Sequence, residues 1–376
     1  MAAYARALQP HPGLRSRIVA QVEGSRRQKR DGSVRWAPVA ATVLTIVLVA
    51  TFLLVHQSNN LRPSSSPTFT TFTTPTKDSM PSAIVAGPDR AMWFTEQSKI
   101  GRIDAAGEVT EYPLPDASAQ PSSIALGADR ALWFTEPGVN RIGRITTDGK
   151  ITEFDVPTPR ALLQSIAAGP DGNLWFTELA GNKIGRITPA GDITEFELPK
   201  RGDVQCGNVC PYGIVAGPDG ALWFTESQLS AGGGNRIGRL TTDGKLTEYE
   251  IPTANAMPTC IVAGRDRLYA CETGFGKLAE ISLSGQISEH AVPGATGGAT
   301  PVGATVGPNG AVWVLVGKQS PGAEAGGHEL VRLKADGTFE SFELPDLDSV
   351  RSGIVVDISG TGWLLAGNDH IIRFRE

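Results

Sequence analysis

The stretch that decides the fold is GPDGALWFTE at residues 217–226, which continues as NRIGRL at 235–240 and GKLTEYEIP at 244–252. Apolar residues alternate in it, as Leu222 and Phe224 show. Alternation with a period of two, bounded by Pro-Asp-Gly and Asp-Gly turns, is typical of short antiparallel strands. One such unit therefore predicts a set of four strands joined by tight turns.

The chain contains seven copies of this unit. The anchoring aromatic residue recurs at intervals of 40, 42, 48, 46, 44 and 50 residues, at Trp93, Trp133, Trp175, Trp223, Tyr269, Trp313 and Trp363. Four strands per repeat of this length are typical of a β-propeller, in which each blade is buried only against its neighbours. A helical solenoid is excluded because no 3.6-residue apolar period survives between the Gly and Pro residues. The predicted fold is all-β, a seven-bladed β-propeller over residues 68–376.

The ends of this domain are predicted to meet in one blade. The last copy ends at Glu376, one strand short. The segment TFTTFTTPT at 68–76 aligns with the outer strand KITEFDVPT at 150–158. We expect residues 68–75 to complete the seventh blade, which would cover an exposed strand edge; the alternative is that they belong to the linker.

An N-terminal single transmembrane helix is expected before the propeller. Residues 37–55 form 19 uncharged positions rich in Val, Leu, Ile and Ala, and a helix of this length spans roughly 28 Å of hydrocarbon. A cleaved signal peptide is the competing interpretation, but no small-x-small cleavage site follows. Basic residues crowd the N-terminal flank, so residues 1–36 are expected to be a cytoplasmic basic stub, with a Ser/Pro linker at 56–67. The predicted location is the plasma membrane, single-pass, with the propeller extracytoplasmic.

The charge distribution argues against a nucleic-acid partner. The net charge of the chain is −5, and residues 1–36 carry eight Lys/Arg and two Asp/Glu, so the remainder carries −11. Such a domain lacks the basic footprint of a nucleic-acid-binding protein. We expect a monomeric propeller, held at the membrane by residues 37–55.

The four cysteines all lie in the part predicted to be exported, where disulfides are favoured. Cys260 and Cys271 are equidistant from the turn at 264–267, so they would lie opposite each other in a hairpin. We predict a Cys260–Cys271 bridge and a small loop closed by Cys206–Cys210. No metal site is predicted at Cys206 and Cys210, because no further Cys or His lies nearby.

A candidate binding face follows from the length variation between copies. Insertions at 200–210, 227–234, 294–300 and 317–328 all fall in blade connections or in loops between second and third strands, which open on one face of a propeller. Near the centre of this face we expect two sets of residues: the Glu that ends each Trp-Phe-Thr-Glu run, and the residue two positions before each first-strand Ile. The candidate ligand-binding residues are Gln164, Tyr212, Thr259, Glu136, Glu178, Glu226 and Glu272, with Tyr212 opposite Glu226.

The repeated glutamates admit two interpretations. They could pair with strand-end amides or with the repeated Arg102, Arg144, Arg186 and Arg239. Alternatively, they could form a carboxylate-lined mouth that attracts a cation, in which case each would raise the pKa of the others. The Arg of Ile-Gly-Arg and the Glu of Thr-Glu-Phe/Tyr are expected to form exposed pairs worth about 0–1 kcal/mol each.

The repeated LWFTE, with NKIGRIT at 182–188 and GDITEFELP at 191–199, is similar to the streptogramin B lyase (virginiamycin B lyase) family over about residues 68–376. The resemblance implies a seven-bladed propeller. In the lyase members it also implies magnesium, a histidine base and linearisation of a cyclic depsipeptide antibiotic by β-elimination. That chemistry, a carbon–oxygen lyase reaction, requires removal of a proton beside a carbonyl polarised by the metal.

The positions of the family's catalytic histidines hold other residues in this chain. Pro301 is followed by Val302, the last copy reads VRSG at 350–353, and Gly367 stands near the place of the lyase carboxylate. The histidines of the chain lie elsewhere, at His11, His56, His290, His328 and His370. We therefore assign no catalytic residue and no metal ligand, and expect no cofactor unless the magnesium-dependent lyase interpretation holds.

The leading interpretation is a membrane-anchored extracytoplasmic propeller that binds an unknown peptide, glycan or protein at the loop face without the lyase reaction. Two alternatives remain at this level. One is a streptogramin B lyase-type, magnesium-dependent β-elimination that uses displaced residues. The other is a cell-envelope assembly scaffold whose face docks a protein.

Overall fold

The computed structural model describes residues 66–200, 210–227, 234–296, 298–318, 328–334, 336–345 and 349–375. The chain divides into two compact units, Met1–Ser65 and Ser66–Glu376, and the described residues all belong to the second. Within those ranges no helix has the length and apolar character needed to span a membrane. The predicted stub at 1–36, the anchor at 37–55 and most of the linker lie outside the described residues.

Every regular element of the described ranges is a strand, and the strands form seven four-stranded antiparallel sheets. The first blade contains β2 (Ile84–Ala86), β3 (Met92–Glu96), β4 (Lys99–Ile103) and β5 (Val109–Pro113). The second contains β6 (Ile124–Leu126), β7 (Leu132–Glu136), β8 (Arg141–Ile145) and β9 (Ile151–Asp155). The third contains β10 (Leu163–Ala168), β11 (Leu174–Glu178), β12 (Lys183–Ile187) and β13 (Ile193–Glu197).

The remaining blades repeat this order from the innermost to the outermost strand. The fourth contains β14 (Cys210–Ala216), β15 (Leu222–Ser227), β16 (Arg236–Leu240) and β17 (Leu246–Glu250). The fifth contains β18 (Pro258–Ala263), β19 (Arg267–Glu272), β20 (Lys277–Ser282) and β21 (Ile287–Ala291). The sixth contains β22 (Ala299–Val306), β23 (Val312–Lys318), β24 (Glu329–Leu333) and β25 (Phe339–Glu343).

The seventh blade is built from both ends of the domain. It contains β26 (Val350–Val356), β27 (Gly362–Ala366), β28 (His370–Arg375) and, as its outermost strand, β1 (Thr68–Thr73). Phe69 pairs with Phe374, and Phe72 pairs with Ile371. The Phe72 ring stacks on Trp363 with the centroids 5.9 Å apart. This is the closure expected from the Thr/Phe segment, and it leaves no unpaired edge on β28.

The core lies between blades rather than within one. In the first four blades both faces of the second strand are buried, so that Trp133 of β7 packs against Leu174 and Phe176 of the third blade. In the first four blades, a glycine of the third strand makes room for the Phe ring of the second strand, at Gly101, Gly143, Gly185 and Gly238. A Cβ on Gly143 would lie 2.1 Å from the Phe134 ring. These glycines are therefore required by close packing, not by a turn.

A repeated cluster holds together the outer half of the first, second and fourth blades. In the first blade Asp89 accepts hydrogen bonds from Trp93 Nε1 at 3.0 Å and from Arg102 Nε at 2.7 Å. The Arg102 guanidinium also lies 6.0 Å from the centroid of the Trp93 ring. Equivalent Asp–Arg pairs occur at Asp129–Arg144 and Asp219–Arg239.

The expected pairing of the Ile-Gly-Arg arginines with the glutamates is therefore wrong. Arg102, Arg144 and Arg239 pair with the turn aspartate of their own blade, and Arg186 donates to Thr194 at 3.4 Å. The outer-strand glutamates instead pair with the first residue of the third strand, as in Lys183 Nζ–Glu195 Oε2 at 2.7 Å. Thr158 of the blade connection joins that pair through two hydrogen bonds to Glu195.

Candidate functional site

A cavity of about 900 Å³ lies at the centre of the ring, where blade connections and second-to-third-strand loops converge. The innermost strand of every blade contributes to its wall. Most polar groups on the wall are hydroxyls and amides, which can both donate and accept hydrogen bonds. They belong to Ser82, Ser122, Ser123, Gln164, Ser165, Tyr212, Thr259, Thr273, Ser349, Ser352 and Asn368. The wall is therefore suited to a polar ligand.

A β-bulge at the start of the innermost strand brings side chains into this wall. In β14 the pairs Pro211↔Glu226 and Ile214↔Phe224 leave two residues opposite one. The same kind of shift occurs in β10 and β18. The prediction that Tyr212 lies opposite Glu226 is wrong, because the bulge moves the pairing by one residue. Tyr212 lines the cavity instead, and burial raises the pKa of its phenol.

The threonine of each Trp-Phe-Thr-Glu run holds the bulge and joins neighbouring blades. Thr225 Oγ1 accepts a hydrogen bond from the Gly213 amide at 2.9 Å and donates one to the Thr259 carbonyl of the next blade at 3.3 Å. Thr177 Oγ1 likewise donates to the Tyr212 carbonyl at 2.7 Å. These threonines were not among the predicted site residues, although their repetition beside the glutamates is a visible signal in the sequence.

In the fifth blade a disulfide replaces this hydroxyl. Cys271 stands in the place of the threonine and is bonded to Cys260 of the bulge, with the two Cα atoms 5.1 Å apart. Cys260 also lines the cavity. The Cys260–Cys271 prediction is confirmed. Cys210 is disulfide-bonded as well, whereas Cys206 of the second predicted bridge lies outside the described residues.

The structure separates the two sets of predicted site residues. Gln164, Tyr212 and Thr259 line the cavity. The glutamates do not line it. Their exposed fractions are between 0% and 3%, at Glu136, Glu178, Glu226 and Glu272. The prediction that both sets gather at the opening is therefore wrong for the glutamates, because they are buried within the blades.

Burial controls the protonation of these glutamates. It raises the pKa of Glu136 to about 8, and the carboxylate of Glu153 adds to this while Arg141 opposes it. Neither carboxyl oxygen of Glu136 has a hydrogen-bond partner among the described residues. The same cause raises the pKa of Glu178 to about 7 and that of Glu272 to about 8. These are buried acids, so the alternative of a carboxylate-lined mouth is wrong.

Arg351 is the one charged residue among the described residues of the cavity wall. Its Nε donates to the Gly367 carbonyl at 3.3 Å, which orients the guanidinium from the last blade. A guanidinium presents several donors in a plane that matches a carboxylate or phosphate. Arg351 was not among the predicted site residues, since the stretch at 350–353 was considered only for the histidine that it lacks.

The donor set of the wall does not fit magnesium. Mg²⁺ is usually bound through one or more carboxylates together with water, and the described part of the wall offers neither a carboxylate nor a histidine. In the described ranges no group of three His, Cys, Asp or Glu side chains is placed to hold a metal ion. The candidate insertions at 200–210, 227–234 and 317–328 fall largely outside those ranges.

This propeller, with its central cavity, matches one family closely. The model of the virginiamycin B lyase family matches residues 55–206 and 202–374. The chain belongs to the virginiamycin B lyase family. A solved streptogramin B lyase structure is 32% identical, with a TM-score of 0.73 over 82% of this chain and 98% of that one.

Two further solved structures place this family member among other propellers. A catalytically inactive histidine-to-alanine variant of virginiamycin B lyase from Staphylococcus aureus, with quinupristin, is 34% identical, with a TM-score of 0.71 over 82% of this chain and 99% of that one. The extracellular domain of a one-component system from B. thetaiotaomicron shares only the fold, at 15% identity and a TM-score of 0.62 over 82% of this chain and 40% of that one. No match was found among curated proteins.

Proposed function

We propose that this member of the virginiamycin B lyase family binds a small polar ligand with an anionic group in the central cavity, without the lyase reaction. The observation that carries the proposal is the wall itself. It combines hydroxyl and amide groups with the guanidinium of Arg351, and in its described part it has no carboxylate or histidine. Such a wall can recognise and orient a ligand, and its described part offers no histidine or carboxylate to act as the general base.

The chemistry of the wall favours a peptide carboxyl terminus as the ligand group. Arg351 can donate two parallel hydrogen bonds to a carboxylate. Gln164 and Tyr212, on the wall of the same cavity, can donate to or accept from peptide groups. A volume of about 900 Å³ is within the usual range for a site that encloses a small ligand.

Isothermal titration of the full-length chain with short peptides tests this proposal. Peptides with a free carboxyl terminus should bind saturably, and the same peptides amidated at that end should bind at least about tenfold more weakly. Arg351→Gln should remove this preference. Arg375→Gln, a matched change at an exposed arginine on β28, should leave it intact.

Two outcomes would contradict the proposal. One is the absence of saturable binding by every peptide tested. The other is an Arg351→Gln chain that still distinguishes free from amidated peptides, since another group would then recognise the carboxylate.

The lyase reaction is the second candidate, because 34% identity to virginiamycin B lyase extends over 82% of the chain. Incubation of the full-length chain with magnesium and quinupristin tests it. Opening of the ring by β-elimination breaks one carbon–oxygen bond and transfers one proton, so the linear product has the mass of the substrate. A shift in chromatographic retention at unchanged mass would support the lyase candidate, and unchanged retention would exclude it for this substrate.

We also propose that the chain is a single-pass plasma membrane protein with an extracytoplasmic propeller. The support is the uncharged stretch at 37–55 with its basic N-terminal flank. Disulfide bonding at Cys260–Cys271 agrees with an oxidising compartment.

A further inference from the structure

A second cavity, of about 510 Å³, lies between the fifth and sixth blades. It is at the ends of the strands that carry the tight turns, opposite to the central cavity. Both blades contribute side chains to it. The residues that matter for the argument are Arg267, Tyr269 and Glu280 from the fifth blade and Arg332, Lys334 and Gly337 from the sixth.

In the first four blades and the seventh, stacked aromatic rings occupy the corresponding space. The second-strand Trp of each of these blades stacks on an aromatic residue of the outermost strand, with centroids 5.2 to 5.9 Å apart. The outer ring then packs on a turn glycine of the next blade. A Cβ on Gly285 would lie 1.9 Å from the Tyr249 ring, and one on Gly191 would lie 2.2 Å from the Phe154 ring. Two rings and a glycine therefore fill the outer part of these seams.

The fifth blade lacks this stack. Tyr269 stands in place of the Trp, and His290 stands in place of the outer aromatic residue, since His290 pairs with Leu278 as Tyr249 pairs with Ile237. The matching turn glycine of the sixth blade, Gly337, has no described atom within 4 Å of the position that a Cβ would take. The cavity therefore lies where the outer aromatic ring of the fourth blade, Tyr249, has its counterpart.

The charges around the cavity also differ from those at the other seams. Arg267 and Lys334 occupy positions that in the fourth blade hold Ala221 and Thr241. Three cationic side chains and one carboxylate, that of Glu280, line the space.

The carboxylates near this space are already engaged. Glu280 accepts a hydrogen bond from Arg267, and its Oε2 lies 3.0 Å from His290 Nε2. Glu340 accepts from Arg332 at 2.5 Å and lies 3.5 Å from Lys334 Nζ. Lys334 and Arg267 each have 42% of the side chain exposed. Arg267 is held by both Asp266 and Glu280, whereas the contact of Lys334 with Glu340 is longer, so Lys334 is the more available of the two for an anionic ligand.

We propose that this seam binds a small aromatic ring that carries a carboxylate. The ring would take the place of the outer aromatic residue, over the turn at Gly337 and beside Tyr269, where offset stacking is favourable. The carboxylate would meet Lys334, with Arg267 close by. This site is independent of the central cavity and of the function proposed for it.

Titration of the full-length chain with benzoate, in a buffer free of other carboxylates, tests the proposal. Saturable binding of benzoate is expected. Benzamide keeps the ring and loses the charge, and cyclohexanecarboxylate keeps the charge and loses the flat ring. Each should bind at least about tenfold more weakly than benzoate. Equal binding of all three would overturn the proposal, because neither the ring nor the charge would then be recognised.

Two variants locate the binding. His290→Tyr restores the outer ring found in the fourth blade, so it should abolish benzoate binding and raise Tm by about 2 °C. Lys334→Ala, at an exposed side chain, should weaken benzoate binding about tenfold with Tm unchanged. Lys245→Ala, at an exposed lysine in the corresponding turn of the fourth blade, is the control and should leave benzoate binding unchanged. Unchanged benzoate affinity in both seam variants, or no saturable binding to the unaltered chain, would overturn the proposal.

Discussion

The buried glutamates at the ends of the second strands couple the stability of the propeller to pH. Their carboxyl groups are nearly inaccessible to water, and burial raises the pKa of Glu136 from 4.5 to about 8. Between these two values the folded chain binds more protons than the unfolded chain. The free energy of unfolding should therefore be highest in mild acid and fall as the pH rises through 7 to 8.

Glu136→Gln should reduce this dependence on pH. Glutamine resembles the protonated acid in shape but does not ionise, so the variant should lose less stability than the unaltered chain between pH 6 and 9. Thermal unfolding at several pH values measures the effect. Glu197→Gln, at an exposed carboxyl, is the control and should follow the unaltered chain. Parallel curves for the unaltered and Glu136→Gln chains would show that Glu136 does not titrate in this range.

The third-strand glycines are a second feature that acts at the scale of one residue. A Cβ on Gly143 would lie 2.1 Å from the buried Phe134 ring, and the ring has no space to retreat into. Gly143→Ala should lower the free energy of unfolding by about 1–3 kcal/mol through overpacking. Gly307→Ala, whose Cβ would come no closer than 3.2 Å to its neighbours, should cost less in the same denaturant titration. Equal costs would argue against the packing explanation.

At the scale of one element, β1 closes the ring. Phe72 stacks on Trp363 and packs against Gly107 of the first blade, so it joins the first and last blades. Phe72→Ala should remove about 2 kcal/mol of stability, since the ring is half-buried, and lower Tm by about 4–8 °C. Thr71→Ala, at an exposed neighbour on the same strand, should change Tm little. A Phe72→Ala chain as stable as Thr71→Ala would mean that β1 does not hold the ring closed.

The hairpin of β18 and β19 is crosslinked by a disulfide bond. The Cys260–Cys271 bond links residues 11 apart in sequence, and a crosslink of that span should stabilise by about 2–3 kcal/mol through loss of freedom in the unfolded chain. Replacement of both cysteines by serine should therefore lower the midpoint of denaturant unfolding. An unchanged midpoint would show that the turn and the flanking strands already fix the hairpin.

At the scale of the whole molecule, we propose that the segment at 37–55 anchors the propeller to the membrane. The full-length chain should be found in the membrane fraction, and detergent but not high salt should release it, because an apolar span is held by the hydrophobic effect. A chain that lacks residues 37–55 should be recovered without detergent. Release of the full-length chain by high salt alone would contradict the anchor and favour attachment through the basic stub.

Much of this architecture could be predicted because it depends on local rules that repeat. The spacing of Trp93, Trp133 and the later anchors predicts the number of blades, and alternation with turn residues predicts the strands. The closing segment at 68–75 could be recognised for the same reason, since it copies the pattern of an outer strand. The candidate site was only half predicted, because Gln164, Tyr212 and Thr259 line the cavity but the glutamates do not.

The sequence by itself determined the fold, the blade number and the Cys260–Cys271 pairing, since each follows from periodicity or from symmetry about a turn. Only the tertiary structure decided which polar residues face the centre. A one-residue bulge shifts the pairing of Tyr212 relative to Glu226, and a shift of one residue changes the direction of a side chain in a strand. The cavity between the fifth and sixth blades likewise depends on contacts between blades. His290 replaces a larger aromatic residue, and this replacement leaves space only because Gly337 of the sixth blade lies across the seam.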